Sequence, residues 1–206
     1  MMEHSSSDEA SIRAEIARLE NEVLAARQRL ADARRRAPAE PFEDYELATT
    51  NGPVRLSDLF GDRRDLLVVH NMGRACSYCT LWADGFDGIV DHLESRAAFA
   101  VVSPDSPTVQ QDFAASRGWR FRMASSEGSS FAEACGAVDE NGGPMPAVSA
   151  FRRRDDGTIE RVARAEVEPY DPFCSAWYLF ELLDDGVAGW EPKTRYEGSR
   201  ISRASG

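Results

Sequence analysis

The chain has 206 residues, of which 42% are hydrophobic, and a formal net charge of −11 at pH 7. This length supports one domain with a sizeable core plus extensions. The acidic balance argues against nucleic acid or an anionic membrane as partner, because both require a basic protein surface. No run approaches the roughly 18 apolar residues of a membrane span, and the polar, acidic N-terminus lacks the features of a secretory signal. We therefore expect a cytoplasmic protein, in which structural disulfides are rare.

The first element is a long helix predicted over residues 8–36. Its apolar side chains recur in alternating steps of four and three, which is the a and d pattern of a heptad repeat. They are Ile12, Ile16, Leu19, Val23, Ala26, Leu30 and Ala33. The stripe is typical either of an amphipathic helix packed on its own domain or of a coiled coil, in which residues 12–33 form a homodimer contact. We assign residues 1–36 to this N-terminal segment and the breaker-rich residues 37–44 to a linker.

From residue 45 the pattern alternates between strands and helices. Asn51-Gly52 is a hairpin-type turn signal between two short strands. Further strands are predicted at 66–70, 99–102, 119–123, 147–151 and 159–163, and helices at 80–96, 109–117, 129–135 and 173–183. Strands separated by helices imply an α/β fold, with a mixed central sheet flanked by helices. Residues 45–185 are assigned to this domain and residues 186–206 to a polar C-terminal tail.

A CxxC motif, Cys76-Ser77-Tyr78-Cys79, directly follows the all-apolar predicted strand at residues 66–70. Two cysteines at this spacing can close a reversible disulfide, and a cysteine at a helix start has a lowered pKa because helix N–H groups favour the thiolate. We expect Cys76 to be the nucleophile and Cys79, one turn into the helix, to be the buried resolving thiol. Zinc is the rival interpretation, with His92 as a third ligand. Because a structural zinc site needs four ligands, we expect no metal.

Two further segments, together with the CxxC, carry a family resemblance. W-A-D-G at residues 82–85 follows the CxxC, and Met-Pro at residues 145–146 precedes a predicted strand. This combination resembles the thioredoxin-like family described as domain of unknown function 899, labelled predicted dithiol-disulfide oxidoreductases. The resemblance covers about residues 10–170. It implies a thioredoxin-like fold with a peroxiredoxin-like elaboration, thiols or disulfides of proteins or small molecules as partners, and a cis peptide bond at Pro146.

Five side chains are candidates for the substrate side of this site. With a cis proline, Met145 and Pro146 would pair with an incoming peptide; the alternative is a trans proline at the start of an edge strand. Arg74 is either a group that stabilises the thiolate or a solvated loop arginine. Tyr78 and Trp82 are candidates for partner contact, with packing as the alternative for both.

For the other residues that could take part in a reaction, we consider a structural role first. Asp84 and Asp87 either relay protons to the resolving thiol or are exposed helix acids. His70 is expected to be a structural histidine. We expect Cys135 and Cys174 to be ordinary buried thiols, because free cysteine is among the most buried residue types.

Three functions compete on these grounds. The first is a dithiol-disulfide oxidoreductase that uses Cys76 and Cys79. The second is a thiol peroxidase, although residues 71–75 do not contain the proline and threonine pattern expected before a peroxide-reactive cysteine. The third is a non-catalytic binding or dimerisation module, which the heptad stripe supports. Glycine-rich phosphate loops and a GxSxG motif are absent from the sequence, so no nucleotide cofactor and no serine hydrolase chemistry are expected.

Overall fold

A computed structural model describes residues 2–197, with side chains from residue 8 onward. The chain divides into two compact units, Met1–Pro38 and Ala39–Gly206. No helix in the described part of the chain is long and apolar enough to cross a membrane.

The first unit is a single helix, α1 (Met2–Arg36). Glycine and proline are absent from it, and alanine, leucine, glutamate and arginine dominate its sequence, all of which favour helix. Charged side chains pair along the helix, as in Arg18 with Glu22 at 2.6 Å. The larger apolar side chains of the heptad stripe are open to solvent, with exposed fractions from 45% at Leu19 to 58% at Ile12.

The second unit is built on one mixed sheet. Its strands within residues 39–197 are β1 (Glu40–Phe42), β2 (Glu46–Thr49), β3 (Gly52–Arg55), β4 (Asp65–His70), β5 (Ala98–Ser103), β6 (Arg122–Ser125), β7 (Ala147–Arg153) and β8 (Ile159–Glu166). They lie in the order β1-β8-β7-β4-β5-β6-β2-β3. The parallel pairs are β4 with β5 and β5 with β6, and the other pairs are antiparallel. The predicted α/β class with a mixed sheet is confirmed.

Helices cover both faces of the sheet. They are α2 (Leu56–Leu59), α3 (Ser77–Gly88), α4 (Val90–Arg96), α5 (Pro107–Arg117), α6 (Phe131–Ala134) and α7 (Ser175–Phe180). Successive side chains of a strand point to opposite faces. Val68 therefore packs in one apolar cluster with Phe131 of α6, whereas Val69 packs in the other with Trp82 of α3 and Trp177 of α7. Strand β4 is buried between these two layers, which explains the apolar run from Leu66 to Val69 at its centre.

Several boundaries differ from the sequence prediction. The predicted helix over 80–96 is divided into α3 and α4 at Ile89, whose backbone leaves the helical region at φ −123° and ψ 12°. Strand β1 lies within the segment assigned to a linker and pairs with β8, far away in the sequence. In the segment assigned to the tail, the Trp190 ring contacts Trp177 with centroids 5.7 Å apart. The last nine residues of that tail, 198–206, lie outside the described residues.

Candidate active site

A tight loop connects β4 to α3 and carries the first cysteine of the CxxC. The N–H of Asn71 donates to Val102 O at 2.8 Å, which extends the pairing of β4 with β5. The Asn71 side chain then accepts the Gly73 N–H at 2.8 Å, and the Cys76 N–H donates to Gly73 O at 3.1 Å. Gly73 has φ 103°, a conformation that favours glycine. These contacts fix where Cys76 enters α3.

Cys76 is the N-cap residue of α3 and is half-buried. Its Sγ accepts the backbone N–H of Cys79 at 3.1 Å, so the thiol satisfies one of the free donors at the helix start. The pKa of Cys76 is lowered to about 6, chiefly by a hydrogen bond from the Cys79 thiol and then by the N–H groups of Cys79 and Tyr78. A pKa of this size leaves roughly 90% of the group ionised at pH 7.

Cys79 has the opposite character. It is 3% exposed, and its sulfur accepts the Met72 N–H at 3.4 Å. The pKa of Cys79 is raised, first because its thiol donates to the Cys76 thiolate and second because it is buried. All four cysteines of the chain are free. The motif therefore combines an accessible thiolate with a protonated, buried thiol one helical turn away, which is the division that disulfide exchange requires.

Aromatic side chains surround the motif on the side of α7. Tyr78 stacks on Trp177 with centroids 6.2 Å apart and an angle of 26° between the rings. Tyr170 contacts the same tryptophan at 5.2 Å and is 55% exposed. Trp82 is only 3% exposed, so its ring lies in the core and is closed to a partner in this structure. Tyr170 and Trp177 were not predicted from the sequence, although residues 170–177 are rich in aromatic side chains.

Arg74 is exposed and is not among the groups that lower the pKa of Cys76. The contact that Arg74 makes here is through its backbone: the Arg74 N–H donates to Asp105 Oδ2 at 2.6 Å. Asp105 lies in the loop that follows β5 and was not singled out by the sequence.

The expectation of a cis peptide bond at Pro146 is wrong, because every peptide bond in the described residues is trans. The flanking contacts are satisfied without a cis bond: the Met145 N–H donates to Ala137 O at 2.8 Å, and Pro146 O accepts the Val167 N–H at 3.4 Å. In the absence of a tertiary requirement, the trans form of an X–Pro bond is favoured by about 0.5–1 kcal/mol. Met145 remains accessible at 44% exposure and borders a cavity of about 160 Å³.

His70, at the end of β4, lines the same cavity. It is 4% exposed, and its Nε2 lies 2.9 Å from Ser149 Oγ. Burial, with Arg164 and Arg161 nearby, lowers the pKa of His70 to about 3, so the ring is neutral at physiological pH. This partnered, uncharged ring fits the structural interpretation of His70.

The two remaining thiols are buried and protonated. Burial raises the pKa of Cys135 to about 12 and raises the pKa of Cys174. Neither thiol therefore resembles Cys76, whose surroundings favour the thiolate. Both are buried residues, as the sequence analysis expects.

The helix acids near the motif are engaged elsewhere. Asp84 forms an ion pair with Arg117 and accepts the Trp119 indole N–H at 2.8 Å. Asp87 accepts the Arg120 N–H at 2.7 Å. Both carboxylates thus connect α3 to the segment around α5, which is the role of structural ion pairs. Within the described residues, no group of three His, Cys, Asp or Glu side chains is arranged to hold a metal ion.

Comparison with known proteins gives a family match and a fold. Residues 3–197 match the family described as bacterial protein of unknown function, DUF899, and no curated protein sequence matches significantly. Among solved structures, peroxiredoxin Q of Xanthomonas campestris is 18% identical, with 60% of this chain and 80% of that chain covered and a TM-score of 0.51.

Two other solved structures are similar to the same extent. A peroxiredoxin-like protein of Aquifex aeolicus is 17% identical, with 63% and 75% of the two chains covered and a TM-score of 0.51. Reduced Prx3 of Vibrio vulnificus, in complex with hydrogen peroxide, is 17% identical, with 66% and 87% covered and a TM-score of 0.50. At these identities the likeness shows the fold alone, which is thioredoxin-like with a peroxiredoxin-like elaboration.

Proposed function

We propose that this chain, which belongs to the DUF899 family of bacterial proteins of unknown function, is a thiol-disulfide oxidoreductase. The proposed reaction works through Cys76 and Cys79. One observation carries the proposal. The half-buried Cys76 caps α3 and accepts the Cys79 N–H at 3.1 Å, while Cys79, one turn later, is buried. A thiolate at a helix start with a protonated neighbour has the two reactivities that the exchange needs in sequence.

The reaction proceeds in two displacements. The Cys76 thiolate attacks one sulfur of a substrate disulfide, so that a mixed disulfide forms and one substrate thiolate leaves. Cys79 then attacks the Cys76 sulfur of the mixed disulfide, and its proton passes to a departing thiolate. The products are two reduced substrate sulfurs and the Cys76–Cys79 disulfide, so two electrons have moved from the protein to the substrate. A second thiol reductant, acting by the reverse steps, restores the dithiol.

The substrate side of the site is proposed to include the accessible groups around Cys76. Tyr78 and Arg74 flank the nucleophile in the chain. Peptide pairing with Met145 and Pro146 is not proposed, because the Met145 N–H and the Pro146 carbonyl are bonded to Ala137 and Val167. Trp82, buried behind Tyr78, supports the position of that ring through their contact at 6.2 Å. We also propose that the protein acts in a reducing, cytoplasmic compartment, where a close cysteine pair is more often redox-active than structural.

The proposal is tested by reduction of insulin disulfides in the presence of dithiothreitol. We expect the wild-type protein to accelerate insulin reduction and Cys76→Ser to abolish the acceleration. Cys135→Ser is the matched control, because it removes a buried thiol outside the motif and should leave the acceleration unchanged. An acceleration that survives in Cys76→Ser would contradict the proposal.

Peroxide reduction is the second candidate, because the proteins of similar fold are named as peroxiredoxins and one is in complex with hydrogen peroxide. In that reaction the Cys76 thiolate attacks a peroxide oxygen and becomes a sulfenic acid, and the departing hydroxide takes a proton from solvent and leaves as water. Cys79 then displaces a second water and closes the same disulfide. Stopped-flow consumption of hydrogen peroxide tests this second function, because a rate no faster than that of free cysteine would exclude peroxidase activity. If the dithiol neither exchanges with disulfides nor reacts with peroxide, a non-catalytic binding or dimerisation module is the remaining interpretation.

We further propose that α1 joins two copies of the chain through residues 12–33. Ile16 and Val23 occupy a positions and Leu19 occupies a d position, a combination that favours two-stranded coiled coils. These apolar side chains are 45–52% exposed along one continuous helix. From residue 12 to residue 33 the stripe runs for about 32 Å at 1.5 Å per residue. A heptad stripe is complementary to itself, so a second copy is the occupant we propose for it.

Paired substitutions at neighbouring positions test the dimer. Val23 lies on the stripe, whereas Leu24 is 61% exposed but lies at a b position, off the contact. We expect Val23→Glu to convert a dimer into a monomer in analytical ultracentrifugation, because each copy would bury an unpaired carboxylate against the other. Leu24→Glu should leave the dimer intact. A wild-type monomer at micromolar concentration, or equal effects of both substitutions, would contradict the proposal.

A further inference from the structure

The loops that leave the parallel strands β4 and β5 meet at the carboxyl edge of the sheet. The β4 loop carries Gly73 and Arg74 toward the reactive cysteine, and the β5 loop carries Asp105, which is half-buried. The Asp105 carboxylate accepts the Arg74 N–H at 2.6 Å, across 31 positions of sequence. This hydrogen bond to a charged acceptor belongs to the stronger class of such bonds.

The carboxylate also lies directly against Gly73. A Cβ added at residue 73 would come within 3.0 Å of Asp105 Oδ2 and 3.1 Å of Oδ1. Gly73 has φ 103° as well, so its backbone conformation favours glycine, and the space beside it is tight for a side chain. Two independent features of the loop, a missing side chain and a backbone donor, thus fit a carboxylate supplied from another element.

The position of this loop sets the position of the thiol. The Cys76 N–H donates to Gly73 O at 3.1 Å, which makes residues 73–76 one turn, and Cys76 then caps α3 by accepting the Cys79 N–H at 3.1 Å. If residues 73 and 74 shift, the turn carries Cys76 away from the N–H groups at the start of α3. Those groups are among the donors that favour the thiolate.

We propose that Asp105 is a positioning residue for the exchange reaction: its carboxylate holds residues 73 and 74 so that Cys76 caps α3 as a thiolate. This inference rests on the proposed function. Asp105 is not among the groups that shift the pKa of Cys76 directly, so we expect its effect to come from the hydrogen bond to the loop and not from its charge. Two substitutions separate the hydrogen bond from the charge.

The experiment measures the rate at which iodoacetamide alkylates Cys76 in the reduced full-length protein as a function of pH. Asp105→Ala removes both the acceptor and the charge. We expect the proton affinity of the Cys76 thiolate to rise about tenfold, so that less of it is ionised and alkylation at pH 6 slows by about fivefold. Asp105→Asn retains an oxygen acceptor for the Arg74 N–H without the charge, so its rate should equal that of the wild type. If the charge of Asp105 were the feature that acts, both substitutions would change the rate in the same direction.

A second variant keeps the inference testable if Asp105→Ala folds poorly. Gly73→Ala presses on the Asp105 carboxylate and also strains the backbone at φ 103°, so it disturbs the same turn from the other side, and we expect the same slowing of alkylation at pH 6. Thermal melting of each variant shows whether the fold is retained. Unchanged alkylation in both Asp105→Ala and Gly73→Ala, or equal slowing in Asp105→Ala and Asp105→Asn, would overturn the inference.

The alkylation rate is measured without a disulfide substrate, so it separates this inference from the proposed function. If the wild-type protein fails to reduce insulin disulfides but Asp105→Ala slows alkylation, the exchange reaction is wrong and the positioning role of Asp105 stands. If exchange occurs and the Asp105 variants alkylate like the wild type, the positioning role alone is wrong.

Discussion

Replacement of Cys79 is expected to raise the pKa of Cys76, even though Cys79 is the buried partner. The largest contribution to the lowered pKa, about 6 against an ordinary 9.0, is the hydrogen bond from the Cys79 thiol. Cys79→Ala removes this donor but leaves the N–H groups at the start of α3. We therefore expect the pKa of Cys76 to move part of the way back, so that its alkylation at pH 6 slows on the order of tenfold.

Cys79→Ser is the matched control for this prediction. A serine hydroxyl can donate to the Cys76 thiolate as the thiol does, so its alkylation rate at pH 6 should stay within about threefold of the wild type. The assay follows single alkylation of Cys76 by intact mass between pH 4 and pH 9. Identical titration curves for the wild type and Cys79→Ala would refute the reasoning, because the side-chain hydrogen bond would then contribute nothing.

The remaining predictions concern selectivity and stability. In the folded, reduced protein, N-ethylmaleimide at pH 7 should modify Cys76 alone, because the other three thiols are buried; two or more rapid adducts in the mass spectrum would contradict this. His70 has a folded-state pKa of about 3 against an ordinary 6.5, so below pH 6.5 the unfolded chain binds a proton that the folded chain does not. This histidine therefore lowers the free energy of unfolding as the pH falls, by up to about 1.4 kcal/mol per pH unit between 6.5 and 3. Urea denaturation should show that the free energy of unfolding falls less between pH 7.5 and pH 5.0 in His70→Gln than in the wild type. An equal fall in both proteins would contradict the lowered pKa of His70. Phe131→Ala empties a fully buried position and should cost about 3–5 kcal/mol of unfolding free energy by the same denaturation assay; a cost below 1 kcal/mol would mean that the ring does not pack as described.

The sequence predicted the features that local chemistry determines. A tight turn joins β2 to β3 where the sequence predicts one, although Thr50 and Asn51 are its central residues and Gly52, with φ 106°, is the first residue of β3. Strand β4 follows from an all-apolar run that only a position buried on both faces explains. The location of Cys76 at the start of α3 follows from the order of strand, cysteine and helix. The roles of the two cysteines in catalysis remain predictions.

The features that the sequence did not predict depend on contacts between distant segments. Strand β1 contains a proline, but Phe42 pairs with Ile159 of β8, 117 positions away. Asp105 meets the loop before Cys76 only because β4 and β5 are parallel neighbours. The peptide bond of Pro146 is trans because its flanking contacts do not require the rarer isomer. None of these three features is marked by a local sequence pattern, because each depends on how distant segments pack together.

The most direct test of the central claim is the redox behaviour of the Cys76–Cys79 pair. In buffers of oxidised and reduced dithiothreitol, the wild-type protein should lose two thiols in one two-electron step, and peptide mapping should assign the disulfide to Cys76 and Cys79. In Cys79→Ser, incubation with a substrate disulfide should instead accumulate a mixed disulfide on Cys76. A pair that stays reduced under all these conditions, or a mixed disulfide that forms on another cysteine, would contradict the account.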